Sequence, residues 1–195
     1  MSDTSHVVVI AGPNGAGKST IAPLVLEKVL EIETFVNADV IAKGLSAFAP
    51  EKVAIQAGKV MLNQLHRLAS QRETFAFETT LASRTFAPFL RNLKKDGYTV
   101  SLLFLYLESP DLAVSRVAER VASGGHQVPE VDIRRRYEAG LRNVFTLYRP
   151  IADDWRLWNT SSNVHNLIAR QEKNSTLIIE QQAIWQRLME SYAAT

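Results

Sequence analysis

A glycine-rich stretch near the start of the chain carries the residue types that hold a phosphate chain. It follows the apolar run 7–11 and reads Gly12, Pro13, Asn14, Gly15, Ala16, Gly17, Lys18, Ser19 and Thr20. Two glycines separated by four residues and followed by Lys and Ser form the P-loop pattern, in which backbone N–H groups surround phosphate oxygens. In that pattern Lys18 contacts the β- and γ-phosphates, and Ser19 offers its hydroxyl to a magnesium ion. The stretch therefore predicts a site for a nucleotide and Mg²⁺.

A P-loop by itself does not separate a kinase from other nucleotide-binding proteins, so the remaining polar groups decide the chemistry. Phosphoryl transfer needs an acceptor hydroxyl in line with the γ-phosphate, a base beside that hydroxyl, and cations over the developing charge. Asp39 ends the predicted strand 34–41, one helix and one strand after Lys18, and could accept the proton of a substrate hydroxyl. The alternative is a carboxylate that caps a helix.

A second polar cluster follows the predicted strand 74–77, which is expected to lie beside the P-loop strand. Glu78 could hold the water shell of magnesium or bind a substrate hydroxyl, and Thr79 and Thr80 add hydroxyl groups. The alternative is a polar strand end that caps the next helix, because Ser and Thr are common in that position.

Basic residues are concentrated around a pair of glycines in the second half of the chain. The arginines on either side of Gly124 and Gly125 are Arg116, Arg120, Arg134, Arg135 and Arg136. Glycines beside cationic helices predict a lid over about 115–137, which closes on the nucleotide and brings guanidinium groups to the phosphates. Of the consecutive arginines only one or two can face inward, and solvated surface residues are the alternative.

Apolar runs and amphipathic stretches alternate along the chain. Strands are predicted at 7–11, 34–41, 74–77, 99–107 and 155–160, with a further strand at 166–169 and helices between them. This alternation predicts an α/β fold, a three-layer P-loop kinase domain over 1–195 with a parallel β-sheet and the helical lid. The nearly continuous apolar strand 99–107 is expected to be covered on both faces. A C-terminal helical tail is predicted over about 170–195.

The bulk composition is that of a globular protein. The 195 residues are 46% hydrophobic and 22% charged, and the net charge is +2. This charge gives no case for binding nucleic acid or an acidic membrane. The chain has no cysteine, no signal-peptide pattern, and no run of about 18 apolar residues that would span a membrane. We therefore expect a cytoplasmic protein that acts on a small molecule.

These motifs, taken in order, resemble the short form of the zeta toxin group of P-loop kinases. The resemblance covers about 6–158 and rests on 12–20, 37–44, 77–80, 124–129 and 133–137. Known zeta toxins use ATP and magnesium to phosphorylate an amino-sugar hydroxyl of UDP-N-acetylglucosamine, and small helical antitoxins hold them inactive. The resemblance therefore implies a kinase with ATP and Mg²⁺ as cofactors and an antitoxin as a partner.

Carried over by position, the resemblance implies a role for each matching residue. Lys18 and Ser19 would bind ATP and Mg²⁺, and Asp39 would act as the catalytic base. Arg120 would stabilise the transferred phosphate together with Arg134, or with the neighbouring Arg135. Glu78 and Thr80, next to Thr79, would bind the sugar nucleotide.

Two other functions fit the same motifs. One is a kinase of another small hydroxyl compound, such as a nucleoside, a sugar or an antibiotic, with a different pocket after Asp39. The other is a regulatory module in which ATP orders the lid and no phosphate is transferred.

Overall fold

The computed structural model describes residues 4–28, 30–125 and 127–193. Seven strands of this part of the chain form one mixed β-sheet. The strands of this described part are β1 (His6–Ala11), β2 (Phe35–Val36), β3 (Phe75–Thr79), β4 (Thr99–Tyr106), β5 (Asp154–Asn159), β6 (Asn166–Gln171) and β7 (Ile178–Ile179). Their spatial order is β2-β3-β1-β4-β5-β6-β7. The strands from β2 to β5 pair in parallel, and β6 and β7 are added antiparallel at one edge. The predicted α/β fold with a mainly parallel sheet is confirmed.

Helices connect most of these strands. They are α1 (Lys18–Lys28), α2 (Ala38–Leu45), a short 3-10 helix (Pro50–Val53), α3 (Ala54–Ser70), α4 (Phe86–Lys95), α5 (Pro110–Ala122), α6 (Glu130–Asn143), a π-turn (Val144–Tyr148) and α7 (Gln182–Tyr192). Within the described segments, none of these helices is long and apolar enough to cross a membrane. The parallel register pairs Ile10 with Glu78, so the P-loop and Glu78 lie at the same edge of the sheet.

The two faces of the sheet are covered unequally. On one face, Val8 and Ile10 pack against Ala22 and Leu26 of α1. On the other face, the main core brings together α3, α4, α5, α6 and α7 around β1, β3 and β4. Because both faces of β1 are covered, its residues from Val7 to Ala11 are at most 5% exposed.

Strand β4 is covered on both faces only in its second half. Leu102 and Phe104 are buried against the main core, whereas Ser101 and Leu103 on the opposite face are half-buried. A groove of about 1180 Å³ lies on this face between α1 and β5, and Trp158 lines it. The prediction that strand 99–107 is covered throughout is therefore wrong for its first half, because α1 covers β1 and leaves this part of β4 open.

The predicted strand 34–41 is mostly helical. Only Phe35 and Val36 pair in the sheet, and α2 begins at Ala38. The side chain of Asn37 accepts hydrogen bonds from the N–H groups of Asp39 and Val40, which makes it the N-cap of α2. Such a cap favours a helix start over a continued strand.

The predicted helical tail from about 170 to 195 is helical only in its second part. Ile178 and Ile179 pair with Arg170 and Ala169 of β6, and α7 begins at Gln182. An edge strand therefore stands where the sequence pattern predicted helix, because pairing with β6 satisfies the backbone of this short apolar segment.

The helical hairpin predicted as a lid consists of α5 and α6. Its inner side is buried, with Val117 and Ile133 in the core, and the Tyr137 hydroxyl donates a hydrogen bond to the carbonyl oxygen of Leu107 at 2.7 Å. Both helices of the hairpin therefore pack against the core on one side, through Val117 and Ile133. His126, in the connection between the helices, lies outside the described residues.

Candidate active site

The P-loop connects β1 to α1 and fits closely against its neighbours. Gly12 has a φ of +144°, and a Cβ atom there would lie 2.4 Å from the carbonyl oxygen of Leu105 on β4. Gly15 has a φ of +82°, and its Cβ would lie 3.0 Å from the carbonyl oxygen of Ala113 on α5. Only glycine adopts such angles readily, so the loop depends on both residues. The positive end of α1, which begins at Lys18, then faces the loop.

Residues after β5 hold the P-loop from the other side. The hydroxyl of Thr160 is buried and lies 3.1 Å from the carbonyl oxygens of both Ala16 and Tyr106. The guanidinium of Arg116 donates to the carbonyl oxygens of Thr160, at 2.7 Å, and Ser161, at 2.9 Å. Arg116 therefore supports the loop structurally, a role that its sequence position did not indicate.

Glu78 is the centre of the polar network at this edge. Its Oε2 atom accepts hydrogen bonds from Ser19 Oγ at 3.0 Å and from Asn37 Nδ2 at 2.9 Å. Its Oε1 atom lies 3.8 Å from the ammonium of Lys18, which donates to the carbonyl oxygen of Pro13 at 2.9 Å. The network brings together the predicted phosphate-binding lysine, the predicted magnesium-binding serine and the carboxylate near the end of β3. Sequence reasoning gave Asn37 no role, although its position two residues before Asp39 at a strand end was a signal.

Burial works against the charges of both central residues. The side chains of Lys18 and Glu78 are 7% and 9% exposed. Burial lowers the pKa of Lys18, against the opposing effects of Glu78 and Asp39. Burial raises the pKa of Glu78, and the nearby Lys18 and the hydrogen bond from Ser19 oppose this. Ionisable groups whose pKa is shifted by burial and by a specific charged partner are typical of functional sites.

Asp39 lies in the first turn of α2 and is exposed. Asn37 is the cap of this helix, so the capping role that was the alternative for Asp39 is filled by its neighbour. The charge of Asp39 acts on the central pair, raising the pKa of both Lys18 and Glu78. The structure therefore brings this carboxylate to the predicted edge of the site.

Arg134 and Arg135 have acidic partners near the surface. Arg134 lies 2.7 Å from the carboxylate of Asp111 and 2.8 Å from that of Glu130, and its side chain is 42% exposed. Arg135 lies 2.7 Å from Asp132. The charges of both arginines are thus balanced by carboxylates of α5 and α6.

The charges of Arg120 and Arg136 act on Lys18. The charges of both lower the pKa of Lys18, and Arg120 also lowers that of Glu78. Arg120 belongs to α5 and Arg136 to α6, so each helix of the hairpin contributes one cation whose charge acts on Lys18. The sequence left the choice among 134–136 open, and the phase of α6 favours Arg136.

Thr79 is the last residue of β3, and Thr80 begins the loop 80–85 between β3 and α4. Their hydroxyl oxygens accept hydrogen bonds from the N–H groups of Leu81, at 3.0 Å, and Ala82, at 3.4 Å. Each hydroxyl still has its own hydrogen to donate. The loop begins two residues after Glu78, so it lies at the same edge of the sheet as the P-loop.

The other P-loop residues differ in exposure. Asn14 and Ala16 are buried, whereas Ser19 and Thr20 are exposed in the first turn of α1. Among the described residues, Oδ1 of Asn14 is a buried side-chain atom without a hydrogen-bond partner. An orphaned polar atom in such a loop indicates a ligand or an ordered water.

Comparison with known proteins assigns the chain to a family. The model of the zeta toxin family matches residues 2–165, which is most of the chain and includes every residue of the site. The chain belongs to the zeta toxin family. Membership in this family, together with the P-loop network, makes the protein a P-loop kinase by class.

Several relatives of this zeta toxin family member are known in sequence or structure. An uncharacterized protein of Haemophilus influenzae is 27% identical over 133 residues, which are 68% of this chain and 93% of that protein. A chain of the AvrRxo1-ORF1:-ORF2 complex solved with ATP is 16% identical, with a TM-score of 0.79 over all of this chain. The present chain spans 66% of that one. A chain of the PezAT toxin-antitoxin system of Streptococcus pneumoniae is 16% identical, with a TM-score of 0.66, covering 100% of this chain and 80% of that one. These structures support the fold.

Proposed function

We propose that this zeta toxin family kinase transfers the γ-phosphate of ATP to a hydroxyl group of a small acceptor, with UDP-N-acetylglucosamine as the first candidate. The observation that carries the proposal is the network in which Glu78 joins Ser19, Lys18 and Asn37, while Asn37 caps the helix that presents Asp39. ATP as the donor is supported by the P-loop and by the similar AvrRxo1 chain, whose complex was solved with ATP.

The donor atoms beside Lys18 suit magnesium. Ser19 Oγ and Glu78 Oε2 are hard oxygen ligands 3.0 Å apart, and Ser19 is exposed. Bound Mg²⁺ would neutralise charge on the β- and γ-phosphates. Ser19 would bind the ion directly, and Glu78 would reach it through water.

The chain's own residues divide the transfer between them. Asp39 takes the proton of the acceptor hydroxyl. The oxygen of that hydroxyl forms a bond to the γ-phosphorus, while the bond between the γ-phosphorus and the bridging oxygen breaks and ADP leaves. Lys18, Arg120 and Arg136 balance the negative charge on the phosphoryl oxygens. Arg136 takes the place that the resemblance implied for Arg134, because Arg134 is paired with acids.

Replacing Arg136 with Ala should lower kcat by about tenfold to a hundredfold, since one cation over the transferred phosphate is lost and Arg120 remains. ATP affinity should change little, because the charge is needed most in the transition state. Arg134→Ala is the matched control, on the same helix but paired with acids, and should keep most of the activity. Steady-state transfer measures both variants. A larger loss in Arg134→Ala would return the role to Arg134.

The binding of Mg²⁺ and ATP should weaken as the pH falls. Burial raises the pKa of Glu78, so on acidification this group takes up a proton at a higher pH than an ordinary glutamate. Protonated Glu78 has no negative charge with which to hold the water shell of Mg²⁺ or to balance the positive charge of Lys18. Calorimetry with Mg²⁺ and a non-hydrolysable ATP analogue, from acidic to neutral pH, measures the effect. Glu78→Gln should bind weakly at every pH, and the same acidic loss in that variant would assign the proton to another group.

The acceptor is tested with γ-labelled ATP, Mg²⁺ and a panel of UDP-N-acetylglucosamine, nucleosides, simple sugars, antibiotics and buffer alone. Labelled UDP-N-acetylglucosamine is the expected product. Transfer to another compound would keep the reaction and replace the substrate. ATP binding without transfer to any compound, or to water, would contradict the kinase proposal and favour a regulatory module.

The proposal extends to a protein partner and a cellular location. The similar PezAT chain belongs to a toxin-antitoxin system. The similar AvrRxo1 chain was solved as part of the AvrRxo1-ORF1:-ORF2 complex. These likenesses support a small antitoxin as the partner of this chain. ATP and a nucleotide sugar as substrates support the cytoplasm as the location.

A further inference from the structure

Helix α6 contacts the loop 80–85 at the point where that loop leaves β3. Gly140 of α6 lies so close that a Cβ atom there would be 2.5 Å from the carbonyl oxygen of Thr80. One turn later, Asn143 Nδ2 donates to the carbonyl oxygens of Leu81, at 2.8 Å, and Ala82, at 3.2 Å. Two adjacent turns of one helix therefore grip the backbone of the loop.

The π-turn after α6 adds a third contact. The N–H group of Arg149 donates to the carbonyl oxygen of Val144 at 2.9 Å, which is the hydrogen bond between residues five apart that defines such a turn. The turn lets Tyr148 donate its hydroxyl hydrogen to the carbonyl oxygen of Ser83. Single π-turns in helices are frequent at functional sites.

The loop is held in a conformation that it would not adopt alone. Leu81 has a φ of +55°, in the left-handed region that non-glycine residues rarely occupy, and its side chain is fully buried. Such a residue persists where surrounding contacts fix it. Here those contacts are its own burial and the bond from Asn143, so the shape of the loop depends on α6.

We propose that Gly140, Asn143 and Tyr148 are positioning residues for the acceptor, because they set the loop 80–85 relative to the transferred phosphate. The inference rests on the proposed function. Arg136 lies on the same helix, one turn before Gly140, so a single element places a cation near Lys18 and also the loop that borders the acceptor. Helix α6 then links the position of this cation to the position of the loop.

Gly140→Ala tests the proposal through the kinetic constants. The added methyl group must push the loop away from α6, which should lower kcat/KM for the acceptor by about tenfold to a hundredfold. KM for ATP should stay within about twofold, because the P-loop is not touched. Gly58→Ala is the matched control, since Gly58 is a helical glycine of α3 with nothing within 4 Å of a Cβ, and it should behave like the wild type. Equal effects on both substrates, or none, would overturn the proposal.

Hydrogen exchange tests the same contact without any turnover. The N–H groups of Leu81, Ala82 and Thr85 donate to the hydroxyl oxygens of Thr79, Thr80 and Ser83, so their exchange reports the order of the loop. Gly140→Ala and Asn143→Ala should speed exchange in 80–85 by about tenfold or more and leave α3 unchanged. Asn143→Ala keeps the test available if Gly140→Ala fails to fold. Unchanged exchange in both variants would refute the positioning role. If the wild type transfers phosphate to no acceptor, the proposed function is wrong. The exchange experiment still tests whether α6 orders the loop 80–85, because it needs no turnover.

Discussion

Lys18→Ala should remove measurable phosphate transfer, lowering the rate by about a thousandfold or more. The ammonium of Lys18 is buried at the start of α1, 2.9 Å from the carbonyl oxygen of Pro13 and 3.8 Å from Glu78, at the place where phosphate oxygens would enter the loop. Its charge is needed for the bound nucleotide and for the transition state, so ATP affinity should fall as well. Transfer from γ-labelled ATP and calorimetric titration with ATP measure the two effects.

The Lys18→Ala variant should still fold. Glu78 keeps its hydrogen bonds from Ser19 and Asn37, and it can take up a proton, because burial already raises its pKa. Lys59→Ala, which removes an exposed lysine of α3, is the control for loss of one positive charge and should match the wild type. Full transfer by a folded Lys18→Ala protein would rule out the P-loop as the phosphate site.

Asp39→Asn should lower kcat by about a hundredfold to ten-thousandfold, the usual contribution of a general base. ATP affinity should change little, since Asp39 is exposed in α2 and its proposed partner is the acceptor hydroxyl. The amide has nearly the same shape as the carboxylate but cannot take a proton, so the variant isolates the base. Single-turnover transfer to the acceptor, with ATP affinity measured separately, distinguishes chemistry from binding.

A merely structural Asp39 predicts a different result. An acidic residue in the first turn of a helix stabilises it by about 0.3–1 kcal/mol through the helix dipole, with no effect on turnover. Thermal unfolding of Asp39→Asn beside the wild type measures that loss of stability. A small change in thermal stability together with near-normal turnover in Asp39→Asn would move the base to another residue, with Glu78 the next candidate.

The sequence by itself determined the features that depend on local pattern. The P-loop lies between β1 and α1 as predicted, because glycine spacing and the apolar run before it are local signals. Glu78 stands beside the P-loop strand, in register with Ile10, because parallel strands place their carboxyl ends at one edge. The α/β class and the kinase class followed from the order of these motifs, and both are confirmed.

Long-range contacts decided what local pattern could not. Spacing left Arg134 to Arg136 equivalent, and in the folded protein Arg134 pairs with Asp111 of α5 and Arg135 with Asp132, partners that spacing did not distinguish. The half-covered face of β4 depends on where α1 packs across the sheet.

The same limit applies to three further features of the site and its surroundings. The role of Asn37 depends on the hydrogen bond that its side-chain amide donates to Glu78 on the neighbouring strand β3. In the sequence, Gly140 is only a residue of low helix propensity within α6. In the folded protein, the backbone of Thr80 lies so close to it that a side chain would not fit. The pairing of Ile178 with Arg170 likewise overrode a helical pattern in the tail. In each case the deciding partner is distant in the chain or on another element, so its effect exists only after the chain has folded.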